Sequence, residues 1–262
     1  MQLLDNPCGN YRFLAGIAPY SAGVTAMPGH EIVRAVLAQP LPWREGFARI
    51  QRHLSGLGRP RAALCAIELR SPQPFTFAGF AAFNSEYQAL LAGWGLMLDG
   101  RNPIARTNVA PAVHPPVEPS LYAFAYTAPA AGAGDSHTFI VAGAGDLRHQ
   151  ADLSPAAIVR PGEISGDAMR EKAATVLAVM QERLCGLGRA WTDVSGIGIY
   201  TVQPLQPLLE NTLLPSLHEA AQRGLDWHYS RPPIVGLEFE MDLRGVRLEE
   251  RQTADDGPQF EG

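Results

Sequence analysis

The sequence has few cysteines and no excess of positive charge. Its 262 residues include 3 cysteines, Cys8, Cys65 and Cys185, and no Cys-x-x-Cys pair occurs. So few and so scattered thiols exclude a cysteine metal cage, and the odd number is typical of a reducing cytoplasm. The net charge of −5 argues against a nucleic-acid partner, which needs a basic surface. We therefore expect a cytoplasmic protein that binds no nucleic acid.

Long apolar runs and metal-binding histidine spacings are also missing. No run approaches the roughly 18 residues that span a bilayer, and the N-terminus lacks the basic and apolar regions of a signal peptide. The 7 histidines show no His-x-His or His-Glu-x-x-His spacing. The glycines at 128–136 and 143–145 lack the Gly-x-Gly-x-x-Gly context of a dinucleotide site. We expect neither a membrane nor a metal partner.

One stretch of the sequence occurs twice. Residues 47–59, FARIQRHLSGLGR, resemble residues 177–189, LAVMQERLCGLGR, which lie 130 positions later. Because this offset is nearly half the chain length, it predicts two copies of one unit. The predicted bounds are 1–127 for the first unit, 128–136 for a flexible linker, 137–250 for the second unit and 251–262 for a disordered tail.

Hydrophobic patterns predict a similar order of elements in both units. The first unit is predicted to contain a hairpin turn at 27–30, helices at 43–55 and 79–94, and strands at 62–70, 104–109 and 121–126. The second is predicted to contain helices at 167–185 and 208–222, with Pro215 as a kink, and strands at 138–142, 194–202 and 234–243. Each unit is thus an α+β fold, a mixed β-sheet with two helices on one face. The other face needs a partner sheet to cover it.

Short motifs in both units resemble the RidA/YjgF superfamily of enamine and imine deaminases. They are APYS at 18–21, FAAFNSEY at 80–87, IARTNV at 104–109, FIVAG at 139–143 and LEFE at 237–240. The resemblance implies two tandem RidA/YjgF-like (chorismate-mutase-like) domains. It also implies chemistry without a metal or organic cofactor, because an imine carbon is already electrophilic. Sites in that family lie between subunits of a trimer, so we expect a homo-oligomer with three-fold or pseudo-three-fold symmetry, a trimer or a hexamer.

The same resemblance implies roles for individual residues. An arginine binds the substrate carboxylate, a glutamate serves as acid or base, and a tyrosine and a glycine N–H orient the substrate. The first unit has Arg106 and Tyr20, and the second has Glu240 and Gly143, so neither unit holds the full set. We therefore expect one composite site, with Glu240, Arg106 and Tyr20 as catalytic residues. Further candidates for substrate binding are Asn84, Asn108, Arg231 and His228.

Among two-domain members, the segment GRNPIARTN at 100–108 is similar to the 2-aminomuconate deaminases, in particular the 2-amino-5-chloromuconate type. That similarity implies hydrolytic deamination of an anionic dicarboxylate enamine during the degradation of aromatic compounds, giving a 2-hydroxymuconate and ammonia. A dicarboxylate requires two cations. Arg106 is the first, and Arg101, Arg231 or His228 is a candidate for the second.

Each candidate residue also has a purely structural interpretation. Arg106 and Glu240 lie in predicted strands, where alternation favours a solvent-facing position. Asn84 fits a helix N-cap, and Tyr20 fits an aromatic residue of a hairpin. The incomplete half-sites leave open a non-catalytic ligand-binding or scaffold protein. A different hydrolase or lyase on a related fold, such as a chorismatase, is the other alternative.

Overall fold

Three long helices form where the sequence patterns predict them. The computed structural model describes residues 1–132 and 137–253. The long helices are α1 (Trp43–Gly56), α2 (Phe77–Gly93) and α3 (Gly166–Gly186). Short 3-10 turns lie at Arg61–Ala63, Pro155–Ala157 and Trp191–Asp193. Within these described ranges, no helix is both long enough and apolar enough to span a bilayer.

The strands of the described residues form two mixed sheets. In chain order they are β1 (Leu3–Asn6), β2 (Tyr11–Leu14), β3 (Gly23–Ala26), β4 (His30–Pro42), β5 (Leu64–Arg70), β6 (Ala105–Pro111), β7 (Ser120–Pro129), β8 (Phe139–Gly145), β9 (Gly196–Tyr200), β10 (Asp226–His228), β11 (Ser230–Arg231), β12 (Glu240–Gly245) and β13 (Leu248–Gln252). The seven-stranded sheet has the order β1-β2-β3-β8-β12-β9-β10. The six-stranded sheet has the order β11-β6-β5-β7-β4-β13. The predicted α+β class is confirmed.

The two sheets do not follow the two predicted halves of the chain. Strand β3 pairs with β8 from the second half, and β13 pairs with β4 from the first. The hairpin predicted at 27–30 is wrong, because β3 and β4 lie in different sheets and this segment crosses between them. Gly29, with a φ of 77°, provides the left-handed turn at the crossing. Each predicted unit contributes strands to both sheets, and the unit bounds stay a prediction.

The sheets pack face to face, with helices on the two outer faces. Helices α1 and α2 cover the six-stranded sheet through a cluster that contains Phe47, Tyr87 and Phe124. Helix α3 covers the seven-stranded sheet through a cluster that contains Met180 and Phe239. Small side chains allow close approach between the sheets, among them Ala66, Ala105, Ala125 and Ala142. Each sheet therefore covers the inner face of the other within one chain.

The repeated helix ends in the same way in both copies. Gly58 and Gly188 adopt left-handed φ angles of 63° and 68°. The N–H of the following residue, Arg59 or Arg189, donates to a carbonyl of the last helical turn at 2.8 Å in each case. This is the closure that a glycine after a helix commonly makes. The repeat in the sequence is therefore a repeat of structure as well.

The helix predicted at 208–222 is broken into short pieces. They are an α-helical turn at Gln206–Leu208, a π-helical turn at Leu209–Leu213, a second α-helical turn at Leu214–Leu217 and a 3-10 segment at His218–Arg223. Pro207 and Pro215 each lie in the first turn of a short α-helical piece, where the missing backbone donor is tolerated, and neither can continue a helix from the residues before it. The predicted kink at Pro215 is thus one of several breaks.

Two strand boundaries differ from the prediction for identifiable reasons. The strand predicted at 234–243 begins only at Glu240, because Asp146 accepts the backbone N–H groups of Glu238 and Phe239 at 2.9 and 3.2 Å. Residue Gln252, predicted to lie in the tail, instead ends β13, which pairs in parallel with β4.

The predicted linker at 128–136 lies only partly within the described residues. Residues 128 and 129 still belong to β7. Residues 133–136 of the linker and residues 254–262 of the tail lie outside the described ranges.

The left-handed glycine after α3 gives a test of this fold. No atom lies within 4 Å of a Cβ built on Gly188 or on Gly56, but only Gly188 has a positive φ. We expect Gly188→Ala to lower the free energy of unfolding by about 1–2 kcal/mol, because an L-residue is strained in that conformation. The helical control Gly56→Ala should leave stability equal or raise it by up to about 1 kcal/mol. Urea unfolding followed by circular dichroism measures both, and equal effects would contradict the assignment.

Candidate functional site

A cavity lies where the ends of strands from both sheets meet the loop after β8. The non-atom space in and around it, open solvent included, is about 380 Å³. Residues from both predicted halves line it together within one chain. The candidate residues from the sequence that line the cavity are Tyr20, Arg106, Asn108, Gly143 and Glu240.

Arg106 is a buried cation in β6. Arg106 is 2% exposed, and its Nη2 donates to Asn84 Oδ1 at 2.7 Å. The guanidinium carbon lies 4.7 Å from the ring centre of Tyr20 and 4.8 Å from that of Tyr87. Its Nη1 is buried and has no hydrogen-bond partner among the described residues. The solvent-facing interpretation of Arg106 is therefore wrong, and one side of its fork is available to a carboxylate.

Asn84 lies behind Arg106 and does not line the cavity. It sits inside α2, and the N-cap of that helix is Thr76, whose side chain accepts from the N–H of Gly79 at 3.0 Å. The N-cap interpretation of Asn84 is therefore wrong. The side-chain oxygen Oδ1 of Asn84 instead accepts from the Arg106 guanidinium and orients it.

Tyr20 is placed by the segment that precedes β6. The N–H of Ser21 donates to the carbonyl of Ile104 at 2.9 Å, and the Asn102 amide donates to the carbonyl of Pro19 at 2.7 Å. Burial raises the pKa of Tyr20, and the charge of the neighbouring arginine in β6 opposes that rise. Because these hydrogen bonds join the segment of Tyr20 to the segment that leads into β6, the Tyr20 ring and the Arg106 guanidinium keep their relative position.

Glu240 begins β12 and reaches the same cavity. It is 3% exposed and pairs with Gly145 on β8 and with Tyr200 on β9. A Cβ at Gly143 would overlap Oε1 of Glu240, so the glycine leaves the room that the carboxyl occupies. The solvent-facing interpretation of Glu240 is wrong as well.

The surroundings of Glu240 favour its protonated form. Burial raises the pKa of the Glu240 carboxyl well above its ordinary value, and the nearby charges of Asp242 and Asp146 raise it further. The positive charges of Arg183 and Arg106 oppose this effect. A carboxyl that keeps its proton to a higher pH can act as an acid and then as a base.

A buried ion pair holds the loop after β8 beside the cavity. Lys172 Nζ on α3 lies 2.8 Å from Asp146 Oδ2, and both side chains are 0% exposed. The same ammonium donates to the carbonyl of Val159 at 2.5 Å. Gln150 of this loop donates to the carbonyl of Gly145 at 2.9 Å and contributes to the cavity wall. The ion pair thus fixes one wall of the site to a helix.

Arg183 is a residue of this region that sequence reasoning missed. It lies on α3, is 3% exposed, and donates through Nη1 to the carbonyls of Ala142 at 2.8 Å and Gly143 at 3.2 Å. Its Nε is buried without a hydrogen-bond partner among the described residues. It follows Val176 by seven positions and Met180 by three, which places it on the apolar face of the helix. That spacing is the feature of the sequence that marks Arg183, because a charged residue on the apolar face of a helix is rarely buried unless it is paired.

None of the other predicted cations lines the cavity. His228 stacks on Tyr200 with ring centres 4.8 Å apart, and burial lowers the pKa of its imidazole. Arg231 is exposed in the edge strand β11. Arg101 is exposed in a turn, with Nη1 3.4 Å from Gln2 Oε1. Across the described ranges, no group of three or more His, Cys, Asp or Glu side chains is arranged to hold a metal ion.

Comparison with known proteins gives likenesses that cover most of the chain. The family described as 2-aminomuconate deaminase CnbZ matches residues 3–250. A 2-amino-5-chloromuconate deaminase from Comamonas testosteroni is 41% identical over 238 residues, which cover 91% of this chain and 94% of that protein. A crystal structure of a chorismatase is similar over 88% of this chain and 79% of that chain, with a TM-score of 0.43 and 12% sequence identity.

The buried ion pair behind the cavity gives a second test. We expect Lys172→Met to lower the free energy of unfolding by about 3–5 kcal/mol, because it leaves Asp146 charged and unpaired in the interior. Arg170→Met on the same helix is the control, since Arg170 pairs with Asp167 at the surface, where such pairs contribute little. Urea unfolding measures the loss of stability in both variants. Similar losses would contradict the role given to the buried pair.

Proposed function

The chain belongs to the 2-aminomuconate deaminase CnbZ family, and on this premise we propose that it hydrolyses the C–N bond of 2-aminomuconate or 2-amino-5-chloromuconate. One observation carries the proposal. The same cavity holds a buried arginine, Arg106, with an unpartnered guanidinium nitrogen and a buried carboxyl, Glu240, with a raised pKa. These are the groups needed to bind a carboxylate and to move protons beside it.

Arg106 is proposed to bind the carboxylate next to the reacting carbon. Its Nη1 has no partner among the described residues, while Nη2 is held by Asn84. The rings of Tyr20 and Tyr87 lie against the guanidinium and leave it little freedom to turn. An ionic hydrogen bond in a buried site is stronger than one in water, so this contact both binds and orients the substrate.

Glu240 is proposed to carry the protons through the reaction. The carboxylic acid first gives its proton to the enamine carbon C3, which turns the C2–N bond into an iminium. Water then adds to C2 while the Glu240 carboxylate takes a proton from it. The recovered acid protonates the amine nitrogen, the C–N bond breaks and ammonia leaves. The hydroxyl proton returns to Glu240, and the resulting 2-oxo product tautomerises to the 2-hydroxymuconate.

The geometry bears on the alternatives raised by the sequence. A scaffold protein without activity would not require Arg106 and Glu240 to meet, yet both line one cavity of a single chain. The proposed substrate is a small dicarboxylate, and the proposed chemistry uses side chains alone. The expected trimer or hexamer stays a prediction, and the site proposed here does not depend on it.

Removal of either central group tests this proposal. We expect Glu240→Gln to lower kcat/KM for ammonia release from 2-aminomuconate by about 10²–10⁴-fold, the range typical of a lost acid–base group. Arg106→Gln should lower it by about 10- to 100-fold, the range for a lost hydrogen bond to a charged group. A coupled ammonia assay measures the rate. Arg231→Gln and Glu238→Gln are matched controls, because neither residue lines the cavity. If the cavity variants kept full activity, the proposed site would be wrong.

The raised pKa of Glu240 predicts a pH-dependent difference in stability. The folded-state pKa lies above the ordinary value of 4.5, so wild-type stability falls as pH rises from that value toward the folded pKa. Within this window the expected loss is about 1.4 kcal/mol per pH unit. Glu240→Gln cannot ionise and escapes this loss, so its stability relative to wild type should increase between pH 5 and pH 7. Urea unfolding at both pH values measures the difference, and a constant difference would argue against a raised pKa.

A further inference from the structure

Arg183 is the second cation that a dicarboxylate substrate requires. We infer that its guanidinium binds the carboxylate at the far end of the substrate, C6, while Arg106 binds the carboxylate at C1. This inference rests on the proposed function. It replaces the sequence-based candidates Arg101, Arg231 and His228, which line neither the cavity of the candidate site nor the neighbouring one, with a residue that lines the neighbouring one.

Arg183 differs from the structural cations of the interior in that the ion pairs between described residues do not include it. Arg34, Arg70 and Lys172 are buried, and each lies within 4 Å of a carboxylate, at 2.6, 3.6 and 2.8 Å. The ion pairs between described residues include neither Arg106 nor Arg183, although these are 2% and 3% exposed. A buried charge without a counter-ion is costly. Two such charges, one beside each of two adjoining cavities, match the two carboxylates of a muconate.

The hydrogen bonds of Arg183 leave donors for a ligand. Nη1 is occupied by the carbonyls of Ala142 and Gly143, which hold the side chain but carry no net charge. Nε is buried and has no partner in the described part of the chain. Gly143 is also the residue against which the Glu240 carboxyl packs. Arg183 is therefore fixed to the same strand segment that makes room for the acid–base group.

A second cavity gives the far end of the substrate a place to lie. Arg183 lines this outer cavity, where the non-atom space, open solvent included, is about 860 Å³. Tyr20 and Gln150 line both the outer cavity and the one that contains Arg106 and Glu240. The two spaces thus share a wall, with one buried arginine outside any ion pair of the described residues beside each. A rigid six-carbon chain with a carboxylate at each end suits this arrangement better than a short monocarboxylate does.

Paired substrates and variants test the inference. The two substrates are 2-aminomuconate and its C6 monomethyl ester, which keeps the reacting end but has no charge at the far end. We expect wild type to favour the diacid by about 10- to 100-fold in kcat/KM, the range for a hydrogen bond to a charged group. In Arg183→Gln the preference should vanish, mainly through a higher KM for the diacid. Arg183→Lys should restore part of the preference because it keeps the charge. Arg170→Gln, an exposed arginine on the same helix, should keep the wild-type preference.

The outcomes separate this inference from the proposed function. An equal slowing of both substrates by Arg183→Gln would overturn the inference and leave the deaminase proposal standing. Ammonia release from neither substrate by wild type would overturn the deaminase proposal. Binding of cis,cis-muconate, measured by calorimetry, checks Arg183 without catalysis. Tighter binding of the diacid than of its monomethyl ester should be seen in wild type and Arg183→Lys. If Arg183→Gln does not fold, two results together would overturn the inference. Arg183→Lys would keep the full kinetic preference for the diacid, and wild type would bind muconate and its monomethyl ester equally well.

Discussion

A hydrogen bond between the two sheets sets the geometry on which the site depends. Thr107 Oγ1 of β6 donates to Asp242 Oδ2 of β12 at 2.7 Å, and Tyr200 donates to the same oxygen at 3.0 Å. Thr107 directly follows Arg106, and Asp242 lies two residues beyond Glu240 on the same face of its strand. The bond therefore fixes the register of one sheet against the other. The relative position of the arginine and the glutamate follows from that register, and small residues in the interface allow the approach.

Local patterns predicted the three long helices, most strands and the family, whereas the sheet order depended on contacts that no local pattern contains. The spacing of apolar residues defined α1, α2 and α3 within two residues at each end. Strand pairing between β3 and β8 joins residues more than a hundred positions apart, and hydrophobic alternation does not specify partners. The motifs led to Arg106 and Glu240 because a family pattern marks them. Arg183 carries no such pattern, and the role proposed for it emerges only when the counter-ions of buried cations are compared.

The two copies of the repeat have diverged at the position of Glu240, the proposed acid–base group. Arg70 of β5 and Tyr200 of β9 occupy corresponding positions 130 residues apart. In the neighbouring strand Arg70 pairs with Ser120, while Tyr200 pairs with Glu240. Ser120 therefore stands where the second half has Glu240, the proposed acid–base group, and a serine cannot replace a buried carboxyl as a proton carrier at neutral pH. The first half keeps the scaffold of the repeat but not this group.

The exchange of strands between the halves has a genetic consequence. In an enzyme whose sites form between subunits, two defective chains can rescue each other in a mixed assembly, because each provides the group that the other lacks. Here Arg106 and Glu240 line a cavity within one polypeptide. A gene copy that loses the arginine and another that loses the glutamate would encode chains with no intact site to share. For these two positions, defects in separate alleles should not complement.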